Sequence, residues 1–261
     1  MTNSKKDEPL ILITNDDGFE AKGIQILTQI ALQFGNVVVV APDGPRSGQS
    51  CAITPRDPLY ITEHKTSSDK LRLFSINGTP TDCVKLSIHE ILTEKPDLLL
   101  SGINHGSNSA ISVIYSGTMG AVFEGCVQHI PSIGFSLCSH LPDADFSVSI
   151  PVIEKITRLA LQKSLPEGVC LNVNIPATKK LNGIRICEQA KGYWTEEFVR
   201  KRDESGRTFF QLAGYFENEE PNNTATDEWA LANGYASVVP CKIDKTARLL
   251  LPQFEQWLGN D

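Results

Sequence analysis

Asn15-Asp16-Asp17-Gly18 follows directly on the apolar run Leu10-Ile11-Leu12-Ile13-Thr14. Two adjacent carboxylates at the exit of a buried strand repel one another, and a proton or a cation must relieve them. Within a strand their side chains would point to opposite faces. They converge on one ion only where the chain has already turned, and Gly18 permits that turn. In an open parallel sheet the carboxyl end of a strand is also where ligands bind. Asp16 and Asp17 are therefore candidates for holding a hard divalent cation.

Three further segments follow apolar runs in the same way: Asp43-Gly44-Pro45-Arg46-Ser47-Gly48-Gln49-Ser50, Ser101-Gly102-Ile103-Asn104-His105-Gly106-Ser107-Asn108, and Tyr115-Ser116-Gly117-Thr118. Asp16, Asp17, the Ser47 hydroxyl and the Asn104 amide oxygen make a set of hard oxygen donors, without thiol or imidazole. Such a set favours Mg²⁺, Mn²⁺ or Ca²⁺ over Zn²⁺ or copper. Two carboxylates with water in the remaining positions suit Mg²⁺ or Mn²⁺ that also accepts a substrate phosphate. Ser116, Gly117 and Thr118 open a helix, where backbone N–H groups, two hydroxyls and the positive end of the dipole bind an anion. Asn77-Gly78-Thr79-Pro80 is a similar junction, which puts Asn77 beside the substrate.

Each segment has a plainer reading when taken alone. Asp-Asp-Gly is a common turn, and either carboxylate would serve to cap the next helix. Thr79-Pro80-Thr81-Asp82 reads as a capping box with Pro at the first helical position. Ser116-Gly117-Thr118 is also ordinary helix-start chemistry. His105 and Asp227 are candidates for proton transfer, and Arg200, Lys201 and Arg202 read as a solvated face. The dinucleotide, P-loop and serine-hydrolase signatures do not occur. The joint placement at successive strand ends is what singles these residues out.

The elements that must position them alternate. Apolar runs at 10–14, 37–41, 97–101 and 132–137 read as strands, and 21–34, 80–92, 119–129 and 148–165 read as helices, with a hairpin within 52–76. Near-continuous apolar strands separated by helices argue for a parallel sheet covered on both faces. The fold expected is α/β, Rossmann-like and doubly wound, with a mostly parallel sheet. A further strand is expected at 169–173. Residues 1–176 form the metal- and phosphate-binding core. Residues 177–261 read as a β-rich C-terminal extension of the same domain, with strands at 184–188, 208–216 and 235–239 and a last amphipathic segment at 247–258.

With 261 residues and a formal charge of −7, the chain lacks the basic balance of a nucleic-acid-polymer or membrane-surface binder. Seven scattered cysteines without a CxxC pair, most of them among apolar neighbours, read as largely buried, reduced thiols. The polar residues 1–9 and the lack of a bilayer-length apolar stretch give a cytoplasmic expectation. A phosphate-receiver module would need a Lys after a later strand, where this chain has Phe135-Ser136-Leu137.

Taken in order, Ile11-Leu12-Ile13-Thr14-Asn15-Asp16-Asp17-Gly18, Arg46-Ser47-Gly48, Asn77-Gly78-Thr79-Pro80-Thr81-Asp82, Ser101-Gly102-Ile103-Asn104-His105-Gly106 and Tyr115-Ser116-Gly117-Thr118-Met119-Gly120 resemble the SurE survival protein family of metal-dependent nucleotidases. The resemblance implies hydrolysis of nucleoside 5′-monophosphates, with 3′-nucleotidase and exopolyphosphatase activity beside it. It implies one divalent cation per subunit on Asp16, Asp17, Ser47 and Asn104, and phosphate binding at Ser116 to Thr118. It also implies a homodimer or homotetramer joined through the C-terminal extension. Either a carboxylate of the Asp pair or a water on the cation would attack phosphorus. Val238-Val239-Pro240-Cys241-Lys242 departs from the family pattern, and 191–220 does not align.

Overall fold

A computed structural model describes residues 8–141 and 143–259; most of the polar leader lies outside them. The elements run β1 Leu10–Thr14, α1 Lys22–Ala31, β2 Asn36–Pro42, β3 Ile61–His64, β4 Leu71–Ile76, α2 Pro80–Leu86, β5 Leu98–His105, α3 Gly117–Val127, β6 Ser132–Cys138, α4 Ile150–Lys163 and β7 Val169–Pro176. They continue with β8 Gly183–Ile186, β9 Gly192–Thr195, β10 Phe198–Arg202, β11 Thr208–Leu212, β12 Tyr215–Asn218, α5 Asp227–Ala232, β13 Tyr235–Lys242 and α6 Leu251–Trp257.

Nine strands form one sheet in the order β3-β4-β2-β1-β5-β6-β7-β13-β8. From β4 to β7 every pairing is parallel, while β3 and β13 run antiparallel to β4 and β7. The apolar strands alternate between two cores because both faces are covered. Ile11, Ile13, Val37, Val39, Leu98 and Leu100 pack toward α1 and α4. Leu12, Val38, Val40 and Leu99 pack toward α2 and α3. Each such side chain, fully buried, contributes roughly 1.5–3 kcal/mol.

Chain order reverses between β1 and β5, so their carboxyl ends flank the crevice where open α/β sheets bind ligands. α1 lies close on β5: a Cβ at Gly23 would fall 2.0 Å from the Ile103 carbonyl oxygen. α2 starts with the expected box, Thr79 Oγ1 accepting from the Asp82 N–H at 3.1 Å and Asp82 Oδ2 accepting from the Thr79 N–H at 2.9 Å. The predicted helix at 80–92 passes into a π turn, Ser87–Ile91. β5 runs further than the 97–101 expected, and its register against β6 shifts between Ser101 and Asn104.

The extension shares the central sheet, with β13 seated between β7 and β8. The stretch expected as one strand at 208–216 is two, β11 and β12, broken around Gly214. β9 pairs with β12 and β10 with β11, giving two antiparallel ribbons. Every residue of β10, Arg200 to Arg202 included, is exposed, as expected of a solvated face. No residue of α6 is buried, and Trp257 is 68% exposed. Among the described residues no helix is long and apolar enough to cross a membrane. All seven cysteines are free; Cys83, Cys126, Cys170 and Cys187 are buried, in line with the burial expected for most of them, and Cys51 is exposed.

Candidate active site

The turn after β1 is built by Asn15 and Gly18. Asn15 Nδ2 donates to the Gly18 carbonyl at 2.8 Å, and Gly18 adopts φ +99°, a left-handed conformation that glycine takes without strain. This turn rolls Asp16 into the protein, 3% exposed, and leaves Asp17 half-buried. The Arg46 N–H donates to the Asp16 carbonyl at 2.7 Å, which fixes the second loop and brings Ser47 beside the first. The Ser50 hydroxyl donates to the Ile114 carbonyl at 2.6 Å and ties that loop to the segment opening α3.

α3 points its N-terminus at Asp16. The Thr118 hydroxyl donates to Asp16 Oδ1 at 2.6 Å. A Cβ at Gly117 would lie 2.8 Å from the Asp16 Cβ and 2.9 Å from its Oδ2, so only glycine lets helix and carboxylate approach this closely. Ser116 is the helix cap, its Oγ accepting from the Met119 N–H at 3.0 Å. From β5, the His105 N–H donates to Asp17 Oδ2 at 3.3 Å. Asn104 Nδ2 donates to the Gly106 carbonyl at 2.9 Å, and no hydrogen bond among the described residues uses its Oδ1.

Burial pushes the Asp16 carboxyl up to about 6, against the opposing hydrogen bond from Thr118 and with the neighbouring Asp17 charge adding to the rise. Burial also raises Asp17, opposed by the His105 N–H. Neither carboxylate forms an ion pair with Lys or Arg among the described residues. A buried charge without a partner is costly, and a divalent cation is one group that would compensate it. Among the described residues no cluster of three His, Cys, Asp or Glu side chains could hold a metal. By donor type alone, two carboxylates, a hydroxyl and an amide oxygen fit a hard cation better than zinc.

Asp16, Ser47, Asn104 and Ser116 line one cleft of about 1090 Å³. Asp17 and Thr118 are hydrogen-bonded to lining residues, Asp17 to the His105 N–H and Thr118 to Asp16. Asn77 is placed elsewhere: its Oδ1 accepts from the Tyr60 N–H at 2.7 Å and its Nδ2 donates to the Pro58 carbonyl at 3.1 Å, so both ends brace the hairpin. Its carbonyl takes one N–H of Arg46 at 3.2 Å, an indirect link to the second loop. His105 lines the cleft, its ring edge-on to Phe146 at 4.9 Å. Asp227 is fully buried and binds three backbone N–H groups, from Ala110 on Oδ2 and from Ala190 and Glu228 on Oδ1. That is a structural tie and not a proton-transfer position. Residue type gave no sign of the Thr118–Asp16 bond, nor of Trp194 and Glu228, which also line the cleft.

The family model for survival protein SurE matches residues 11–196. The chain belongs to the SurE family. It is 48% identical over 253 residues to a protein of Phocaeicola vulgatus named 5′-nucleotidase SurE, covering 97% of this chain and 98% of that one. A protein of the same name from Bacteroides thetaiotaomicron is 50% identical over 244 residues, covering 94% and 93%. Among solved structures, the SurE protein from Aquifex aeolicus superposes with a TM-score of 0.82 at 35% identity, over 96% of this chain and 100% of that one. The SurE match ends inside the ribbons, just past Trp194.

Proposed function

We propose that the chain is a 5′-nucleotidase that hydrolyses nucleoside 5′-monophosphates to nucleoside and phosphate. The observation that carries this reading is Asp16, a buried carboxylate without a cationic side-chain partner among the described residues, faced by the N-terminus of α3 across the edge of a large cleft. The name 5′-nucleotidase SurE, borne by relatives that match over nearly their whole length, supports it.

Asp16, Asp17, Ser47 and Asn104 would hold one divalent cation, Mg²⁺ or Mn²⁺. Such a cation, when bound, neutralises phosphoryl charge and draws electron density from a phosphate oxygen. Thr118 fixes the rotamer of Asp16, and the His105 N–H fixes Asp17, so the donors are oriented before substrate arrives. Ser116 and Gly117 offer a hydroxyl and the first-turn backbone to the remaining phosphate oxygens, with the helix dipole favouring their charge. The loops exclude bulk water from Asp16, which strengthens every electrostatic contact at the phosphate.

The extension, residues 177–261, would join subunits into a homodimer or homotetramer, a role supported by the uncovered apolar face of α6. The reading places the enzyme in the cytoplasm, in keeping with seven unpaired cysteines. Phosphate release from 5′-monophosphates, 3′-monophosphates and short polyphosphate, each with Mg²⁺, tests it. Release from the 5′ series is expected, and the other two set the breadth of the activity. Failure to act on any 5′-monophosphate would sink the reading.

A further inference from the structure

The cleft is larger than a cation and a phosphate require. At about 1090 Å³ it reaches the upper end of the range for whole small-molecule sites, roughly 300–1,000 Å³. Its outer walls come from the extension, where Trp194, Leu212, Phe216 and Leu231 form an apolar side. Glu228 stands in the same walls, with Glu197 also lining the cleft and the buried Asp227 next to it in sequence.

Both polar-tipped residues are held by one short turn. Trp194 on β9 is the cross-strand partner of Phe216 on β12, and its indole N–H donates to Ser112 Oγ at 3.2 Å. That bond holds the ring by its edge while the side chain stays 36% exposed. Glu228, in the first turn of α5, accepts from the Ser109 hydroxyl on Oε1, and no hydrogen bond among the described residues uses Oε2. Burial raises the carboxyl, with the Ser109 bond opposing. Ser109 immediately precedes the 3₁₀ turn Ala110–Ile114, and Ser112 is its middle residue. Ser116, at the phosphate end, follows Ser112 by four residues, a chain distance of at most roughly 14 Å. A fixed aromatic face, a carboxylate with an unused oxygen and an anion site thus lie along one segment.

We infer that the outer half of the cleft is a nucleoside subsite in which the Trp194 indole stacks against the base and the Glu228 carboxylate accepts from the ribose hydroxyls. The inference takes only the phosphate end from the nucleotidase reading. Stacking on an indole tolerates any base, so the subsite distinguishes nucleotides from bare phosphomonoesters more than one base from another. An acidic side chain on a ribose 2′-hydroxyl is a known way to recognise that sugar, so ribose is favoured over 2′-deoxyribose.

Two readouts test this. The first compares kcat/KM for AMP, dAMP and ribose 5-phosphate in the unmodified protein, Trp194→Leu, Trp194→Phe and Glu228→Gln. Trp194→Leu should lower the AMP value relative to ribose 5-phosphate about tenfold, through KM. Trp194→Phe, which keeps an aromatic face, should recover most of it. Glu228→Gln should abolish the preference for AMP over dAMP. The second readout is ligand-observed NMR of adenosine with EDTA-treated protein, which needs neither phosphate nor cation, and Trp194→Leu should lose the binding. Unchanged ratios together with unchanged adenosine binding would overturn the subsite, and an unchanged AMP-to-dAMP ratio would remove Glu228 from it. Adenosine binding without phosphate release from any nucleotide would instead overturn the nucleotidase reading and leave the subsite standing.

Discussion

The Thr118 hydroxyl donates to Asp16 Oδ1 at 2.6 Å across 102 residues of chain. This bond joins the exit of β1 to the first turn of α3, so the carboxylate and the helix end proposed to bind phosphate form one unit. Thr118→Val keeps the side chain's shape and removes the donor. Groups that orient metal ligands typically control affinity or activity by about 10- to 100-fold. A loss in that range is expected in Mn²⁺ titrations of the variant, with circular dichroism unchanged.

Asp16 also gives the metal-free protein a pH signature. Its folded-state value, about 6, lies above the ordinary 3.8. The folded state therefore binds the proton more tightly between those values, and stability falls as pH rises through that window. The full penalty, on the order of 3 kcal/mol, is present above about pH 6 and absent below about pH 4. Thermal melts of EDTA-treated protein should show this slope. Asp16→Asn should flatten it and melt higher than the unmodified protein at pH 7.5.

Asp227→Asn should act on stability first. An amide NH₂ placed against the N–H groups of Ala110, Ala190 or Glu228 leaves at least one buried donor without an acceptor. A loss of roughly 1–3 kcal/mol follows, read as a lower urea midpoint. If the variant kept its midpoint and lost turnover, Asp227 would be a chemical group after all.

Assembly has its own test. Phe254 and Trp257 stack edge to face at 4.5 Å on α6, exposed by 46% and 68%. Sedimentation should show a dimer or tetramer, and Phe254→Glu with Trp257→Glu should yield monomer. A double variant that sediments like the unmodified protein would place the interface elsewhere.

The sheet was legible because strands buried on both faces carry unbroken apolar runs: Leu10 to Thr14 and Val37 to Ala41 announce themselves. Ser101-Gly102 looks like a turn by composition, so β5 looks shorter in the sequence than it is, yet the strand continues to His105. The ribbons were illegible for a different reason. Gly192 pairs with Asn218, and the pairing encloses the second hairpin, so no local pattern sets its register. At the site, donor chemistry singled out Asp16, Asp17, Ser47 and Asn104; three of these, Asp17 excepted, line the cleft, as does the helix-start Ser116. Asn77 has the right residue type in the right kind of loop, but its side chain is committed to the hairpin. Thr118 and Trp194 depend on partners 102 and 82 residues away, and only the fold brings those together.

The most direct test strips the protein with EDTA, restores Mg²⁺, Mn²⁺, Ca²⁺ or Zn²⁺ singly, and follows phosphate release from AMP in the unmodified protein and in Asp16→Asn. The account predicts no release after stripping, recovery with Mg²⁺ or Mn²⁺, and loss of most turnover in a folded Asp16→Asn. Near-normal turnover in Asp16→Asn, or Zn²⁺ as the sole activator, would contradict it.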